Sequence, residues 1–343
     1  MDSVEDTISR AIAYITRQHA AAYQNATHVM GEYSTAKFVE LVAERFGMPP
    51  EQRMRFSRFR CEGKVFQVAM ITDALQDAAE AGYGECDPLV KENVGYLPGS
   101  KEGRSWRYFP GFEPLPYDAD SLGQVTQALV RAGRAKPEAL NGAFELAAAN
   151  TWDDGSLSTF FSESPDPEQR TALNKVWGRG RDDTGRDVEV VANLMFAALL
   201  YERNVGQGAL GPFIRRAADW LVERQQPMGY WRASWYVGVY YSTYTVVRLL
   251  HALGGHAPSI DRAARFLSQA PPSDPLNQAL VALSLSLAAS SRATGQATTD
   301  LLVGSQFPDG SWEAIPLLDN HARVWGSRTI TTSLCLKALL TTS

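Results

Sequence analysis

The chain is poor in cysteine. Cys61, Cys86 and Cys335 lie far apart, and none forms a Cys-x-x-Cys pair. That spacing fits a reducing compartment better than a disulfide scaffold, and it offers no zinc cluster. A basic excess is also lacking. The formal net charge is −5, which argues against a nucleic-acid surface and against a strongly basic membrane patch. No apolar run approaches the roughly 20 residues that span a bilayer, so no stable membrane anchor is expected. The first stretch, "MDSVEDTISRAIAYITRQ", is acidic and has no apolar segment of the signal-peptide kind. The expectation is a cytoplasmic protein. Alternating strand patterns are nearly absent, and His19, His28, His251, His256 and His321 show no metal-ligand spacing.

What is present is helix. "SVEDTISRAIAYITRQ" places Ile8, Ile12, Ala13 and Ile15 on one face, with an N-cap candidate at Ser3. About a dozen segments share helical spacing, and Gly82, Gly133 and Gly254 stand where helices end. Some segments are amphipathic, such as "PFIRRAADWLVERQ", and belong outside. Others, such as "EVVANLMFAALL", "TYTVVRLLHAL" and "NQALVALSLSLAAS", are apolar nearly all round and belong inside.

The order repeats. An outer helix is followed by a Gly turn with an aromatic, then by an inner helix. "QQPMGYW", "QFPDGSW" and "WDDGSLSTFF" mark three such turns, and "WRYFPGFEPLPYDADSLGQVTQALV" a degenerate fourth. Helix-pair repeats of about 40–50 residues imply stacked or ring-closed hairpins. Long aromatic loops at one end favour closure. The expected fold is all-α, an (α/α)6 barrel of about six helix pairs, with residues 1–343 as a single domain.

The spacing Gln-x3-Gly-x-Trp occurs twice, at Gln225, Gly229, Trp231 and at Gln306, Gly310, Trp312. It resembles the QW repeat of the squalene–hopene cyclase and prenyltransferase superfamily, and "DGSWE" adds to the match. The resemblance runs from about Trp106 to Leu340. It implies that these Gln and Trp residues tie outer helices together. It also implies the chemistry of isoprenoid cyclisation.

In an α/α barrel the N-termini of the inner helices gather at one end. The expected starts bring there Tyr33, Ser34 and Thr35; Asp118, Asp120 and Ser121; Asp182, Asp183, Asp187 and Glu189; Tyr240, Tyr241 and Thr243; and Arg328 and Thr331. Helix N-termini stabilise carboxylates and receive anions. An apolar cavity ringed by these groups is the expected site.

Class II terpene cyclases carry Asp-x-Asp-Asp before an inner helix, and its middle Asp protonates an alkene or epoxide. Asp118-Ala119-Asp120 matches the first three positions, while Ser121 occupies the fourth. The resemblance therefore implies Asp120 as general acid, with Asp118 and Ser121 beside it. Protonating an alkene takes a neutral carboxylic acid in a dry site, and with Ser121 the polarising network must differ. The plainer reading of the same residues is that Asp118 or Asp120 caps the helix.

"DDTGRD" places Asp182, Asp183 and Asp187 in a spacing close to the DDxxD that holds Mg²⁺ in class I terpene synthases, with Arg179, Arg181 and Arg186 near for phosphates. A solvated acidic loop is the plainer reading. Aromatic faces stabilise cations. Trp106, Tyr108, Trp235, Tyr236, Tyr240 and Tyr241 are therefore candidates to line the cavity, with Arg328 and Asn193 as further substrate contacts.

The leading expectation is a terpene cyclase that protonates a linear isoprenoid, a sesqui- or diterpenoid carried as a diphosphate, and needs no cofactor. One alternative is Mg²⁺-dependent ionisation of an allylic diphosphate at the DDTGRD segment. Another is a non-catalytic isoprenoid-binding barrel. A zinc prenyltransferase would need an Asp, Cys and His set, which Asp319, His321 and Cys335 do not match in order or spacing. The expected partner is a small hydrophobic isoprenoid rather than nucleic acid, and a homodimer is compatible with the pattern.

Overall fold

The computed structural model describes residues 3–178, 185–206, 209–269, 272–288, 292–319 and 324–342. Fifteen α-helices lie among them. The first eight are α1 (Val4–Ala20), α2 (Glu32–Phe46), α3 (Pro50–Ser57), α4 (Val65–Glu80), α5 (Asp87–Gly99), α6 (Ala119–Arg131), α7 (Pro137–Ala149) and α8 (Pro167–Trp177). The rest are α9 (Val188–Asn204), α10 (Gly211–Glu223), α11 (Tyr240–Leu253), α12 (Ala257–Gln269), α13 (Pro275–Leu287), α14 (Arg292–Ser305) and α15 (Arg328–Thr342).

Composition sorts them into two rings. Residues 189–199 of α9 are all buried, as an apolar helix surrounded by protein requires. In α10, Phe213, Ile214, Ala217, Ala218, Trp220 and Leu221 are buried while Arg215, Arg216 and Asp219 face water. The inner ring runs α4, α6, α9, α11, α13, α15 and back to α4, each helix packed on the next. The outer helices α1, α5, α7, α10, α12 and α14 back them. This is an (α/α)6 barrel, as the repeats implied. Among the described residues no helix is long and apolar enough to cross a membrane.

The Gln…Gly…Trp turns make the outer ring continuous. Trp231 is fully buried and its Nε1 donates to Leu221 O at 2.7 Å, at the end of the helix it follows. Gln225 Nε2 donates to Ser259 O at 2.8 Å and its Oε1 accepts from Arg262 Nε at 2.9 Å, both on α12. The second turn repeats this geometry. Trp312 Nε1 donates to Leu302 O at 2.9 Å, Gln306 Nε2 donates to Thr7 O at 2.9 Å, and Arg10 Nε donates to Gln306 Oε1 at 2.9 Å. The partners are now on α1, so this turn closes the ring. Gly310 has φ 86°, and a Cβ there would lie 2.1 Å from Arg10 O. Only glycine fits both demands.

Two insertions cover the end of the barrel where the inner helices begin. One is α8. The other joins α1 to α4: β1 (His28–Met30) pairs antiparallel with β2 (Cys61–Gly63), with His28 opposite Gly63, and α2 and α3 lie between them. This corrects the expectation that Tyr33, Ser34 and Thr35 begin an inner helix. The first inner helix is α4. Helix α2 carries charges along most of its length, whereas α4 is buried over nearly all of its length, as a helix of the inner ring must be. Its Val39 and Val42 instead join a separate cluster with Phe56, Phe109, Phe112, Phe160 and Trp177. A short hairpin, β3 (Leu318–Asp319) with β4 (Val324–Trp325), borders the same end.

Candidate active site

Beneath the insertions lies an apolar cavity of about 130 Å³. Its aromatic wall is Tyr108, Phe109, Phe160, Trp177 and Trp235. His28 and Met30 roof it from β1, and Leu115, Thr159, Val190, Leu318 and Asp319 complete it around Asp118 and Asp120. The inner helices α6 and α9 begin at this cavity.

Asp120 sits in the first turn of α6 and keeps part of its surface open to the cavity. Both its oxygens accept hydrogen bonds. Asn193 Nδ2, from α9, donates to Oδ1 at 2.5 Å, and the Tyr236 hydroxyl donates to Oδ2 at 2.5 Å. Tyr236 is stacked on Tyr241 with centroids 3.9 Å apart. Gln124 Nε2 bridges to Asn193 Oδ1 at 3.1 Å and to the Tyr241 hydroxyl at 3.2 Å. Burial pushes the Asp120 carboxyl up to about 6, and the hydrogen bonds from Tyr236 and Asn193 hold it from going higher. Close approach of α6 and α9 makes this reach possible: a Cβ on Gly123 would lie 3.1 Å from Asn193 Nδ2 and 3.2 Å from Leu194 Cα.

Asp118 caps α6, its Oδ1 accepting from the Ser121 backbone N–H at 2.7 Å. It also lines the cavity, and burial, with Asp120 alongside, lifts it to about 7. Ser121 thus serves the site through its main chain. Glu189 is fully buried in the first turn of α9. Its Oε1 accepts from the backbone N–H groups of Ser234 and Trp235, both at 2.7 Å, and burial raises it to about 8. It anchors the loop that carries Trp235 and Tyr236.

Several expected site residues lie elsewhere. Trp106 is fully buried and its Nε1 donates to Leu97 O at 2.9 Å, the same bond that Trp231 and Trp312 make to the ends of their outer helices. It is a third structural tryptophan and does not line the cavity. Tyr240 packs toward Ala264 and Phe266 beside α12. Arg328 pairs with Asp309 at 3.1 Å on the outer surface, over the Phe307 ring. Tyr236, Tyr241 and Asn193 are buried and are not among the residues that line the cavity; Tyr236 and Asn193 reach it only through Asp120. Asp187 Oδ2 accepts from Thr159 Oγ1 at 2.7 Å and from Trp235 Nε1 at 2.8 Å, so it clamps two cavity walls. Among the described residues no group of three His, Cys, Asp or Glu side chains converges as metal ligands. Asp182 and Asp183 lie outside the described residues.

His28 went unrecognised in the sequence. It is buried against Tyr108, Phe109 and Trp325, and burial lowers it to about 4, so it is neutral at pH 7. Thr159, Phe160 and Trp177 come from the long loop and insertion after α7, where no periodicity marked them.

No protein-family model and no curated protein matches the chain. Solved structures do. A protein from Actinoplanes aligns with TM-score 0.63 at 19% identity, covering 99% of both chains. The type II terpene cyclase MstE from Scytonema, in complex with geranylgeranyl dihydroxybenzoate as substrate, aligns with TM-score 0.68 at 17% identity over 98% of this chain and 96% of that one. The ent-copalyl diphosphate synthase from Streptomyces platensis aligns with TM-score 0.61 at 20% identity, covering 85% of this chain and 53% of the synthase. The helical barrel of this chain is therefore a fold that it shares with type II terpene cyclases.

Proposed function

We propose that the chain is a terpene cyclase of the protonating kind, with Asp120 as general acid. The observation that carries the reading is the setting of Asp120. It opens onto an apolar, aromatic-walled cavity, its two oxygens are held by neutral donors, and its carboxyl is lifted to about 6. Such a group is available in its protonated form and still releases a stabilised carboxylate. The structural likeness to MstE and to ent-copalyl diphosphate synthase supports the same chemistry.

In the first step the Asp120 O–H bond breaks. The proton goes to a terminal alkene carbon, and the alkene π pair forms the new C–H bond. The cation left on the neighbouring carbon is attacked by the π pair of the next alkene, which makes a C–C bond and a ring. The last cation loses a proton to water or to a base, and solvent returns a proton to Asp120. The faces of Tyr108, Phe109, Phe160, Trp177 and Trp235 lie where they would stabilise the cations.

The substrate is a linear isoprenoid whose alkene tail enters the cavity. Among the described lining residues none is Lys or Arg, so the head group, diphosphate or otherwise, belongs at or beyond the mouth. The cavity, at about 130 Å³, is smaller than the roughly 300–1,000 Å³ of typical ligand sites. A polyprenyl chain therefore enters with displacement of the segment from His28 to Gly63.

The test is product analysis by mass spectrometry. Farnesyl diphosphate, geranylgeranyl diphosphate and geranylgeranyl dihydroxybenzoate are supplied in turn, with Mg²⁺ and with EDTA, to the protein and to Asp120→Asn. Cyclic products that keep the head group and disappear in Asp120→Asn are the expected result. Cyclic products that survive Asp120→Asn and vanish in EDTA would move the chemistry to ionisation at the DDTGRD segment. Binding with no turnover of any substrate would leave an isoprenoid carrier.

A further inference from the structure

A line of polar side chains runs from Asp120 down the lumen of the barrel. Asp120 on α6, Asn193 on α9, Gln127 two turns further along α6 and Arg248 on α11 are joined in sequence. Asn193 Nδ2 donates to Asp120 Oδ1 at 2.5 Å, Gln127 Nε2 donates to Asn193 Oδ1 at 2.6 Å, and Arg248 Nη1 donates to Gln127 Oε1 at 2.9 Å. Arg248 is itself held, with Nη2 3.5 Å from Asp73 Oδ1 and the guanidinium 4.1 Å from the centre of the Phe196 ring.

Each amide has a donor end and an acceptor end of nearly the same shape, and only its partners decide which way it points. A guanidinium has donors alone. Together with the Asn193 main-chain carbonyl, which accepts from Gln127 Nε2 at 3.3 Å, it turns Gln127 Oε1 toward the guanidinium and Nε2 toward Asn193. Asn193, whose Oδ1 also accepts from Gln124 Nε2 at 3.1 Å, then offers Oδ1 to both glutamines and Nδ2 to Asp120. With Gln127 reversed, its NH2 would face the guanidinium donors and its carbonyl would face the Asn193 carbonyl.

We propose that Arg248 is a positioning residue for Asp120, setting through Gln127 and Asn193 the amide orientation that gives the acid a permanent N–H donor. This rests on the acid role given to Asp120 above. An N–H stabilises the carboxylate that remains when the proton leaves, whereas a carbonyl in its place would favour the protonated acid and make proton release harder. The other titratable groups around Asp120 among the described residues are Asp118 at the cap of its helix, Asp187 ahead of α9, Tyr236 and Tyr241 from the α11 side, and Tyr108, His28 and Asp319 across the cavity. None of them is a cation at pH 7, since burial keeps His28 neutral. Among the described residues the amide donor is thus one of two side chains that donate directly to the Asp120 carboxyl, the other being Tyr236.

The experiment is a pH titration of the Asp120 carboxyl by infrared difference spectroscopy, with Asp120→Asn as the blank. It starts from a Gln124→Met parent, which lacks the second donor to Asn193 Oδ1, and compares it with the same protein carrying Gln127→Met, Arg248→Met or Arg248→Lys, and each melting temperature reports on folding. The Met variants are expected to raise the Asp120 midpoint by about one pH unit, while Arg248→Lys, which still offers only donors, stays close to the parent. Midpoints unchanged in folded Met variants would overturn the proposal. Gln127→Met carries the test if Arg248→Met fails to fold. The readout needs no turnover. A protein that titrates as expected but cyclises nothing would remove the proposed reaction and leave the orientation relay in place.

Discussion

Asp73 and Asp120 are both enclosed carboxylates in the same lumen, and their proton affinities are shifted in opposite directions. Asp73, two turns into α4, is 8% exposed at its side chain and faces Lys337 at 2.7 Å, Arg131 at 2.6 Å and Arg248 at 3.5 Å. Those three cations outweigh the cost of burial and keep it well below the ordinary carboxylate range. Asp120 has only an amide and a phenol, and burial prevails. Depth does not separate the two sites. Partner type does. Cations hold a low-titrating carboxylate toward one end of the barrel, and neutral donors leave the carboxyl at the other raised to about 6. Arg248 touches both sites, directly at Asp73 and through two amides at Asp120.

The largest expected effect breaks the upper site. Asp120→Asn keeps the hydrogen-bonding shape but carries no acidic proton, so product formation falls by ~10³-fold or more while the melting temperature holds. Next comes the lower site. Lys337→Met leaves Asp73 and Asp77 short of a buried partner, and chemical denaturation should show a loss of about 3–5 kcal/mol, with cyclisation in the surviving folded protein much less affected. Tyr236→Phe removes one neutral donor from Asp120. The acid weakens, kcat falls by ~10–100-fold, and the alkaline limb of the pH profile, set by Asp120 losing its proton near pH 6, moves to higher pH. An unmoved limb would mean that another group limits the rate.

The smallest effect concerns stability and pH. Glu189 is raised from 4.5 to about 8. The folded protein binds this proton more tightly than the unfolded chain does. The contribution is therefore fully present below about pH 4.5 and is lost as pH rises through about 8. Asp73 has the opposite sign: its contribution is present above its unfolded value of 3.8 and is lost on acidification. Glu189→Gln, neutral at every pH, should flatten the fall in melting temperature expected of the parent between pH 5 and 9. An unchanged slope would exclude Glu189 as its source.

The barrel was legible because its signal is local and repeated. Apolar and amphipathic helices alternate, and Gln-x3-Gly-x-Trp recurs where an outer helix ends. Asp118 and Asp120 were legible from their place before an apolar helix. The network around Asp120 was half legible: Asn193 and Tyr236 were named, Gln127 and Arg248 were not. A trace of them is present in the chain, since Asp120, Gln124, Gln127 and Arg131 fall at spacings of four, three and four, which is one face of α6. Such a face counts as polar until the fold turns it inward. The cavity roof could not be read at all. Whether α2 joins the ring or lies across its end depends on contacts far away in the sequence, and Trp106 gave no hint that its ring N–H would hold the end of α5.

The closing turn at Gln306 has a consequence for how the molecule is made. Its hydrogen bonds reach back to Thr7 and Arg10, across 299 and 296 positions of sequence. Synthesis at roughly 5–20 residues per second puts α1 outside the ribosome many seconds before α14 and α15 exist. Until they arrive, the apolar stripe of α1, with Ile8, Ile12 and Ile15, lacks the surface that buries it. Helix α1 thus precedes the others in the ring yet is among the last to dock, and the half-built ring is the species most exposed to aggregation and to chaperones.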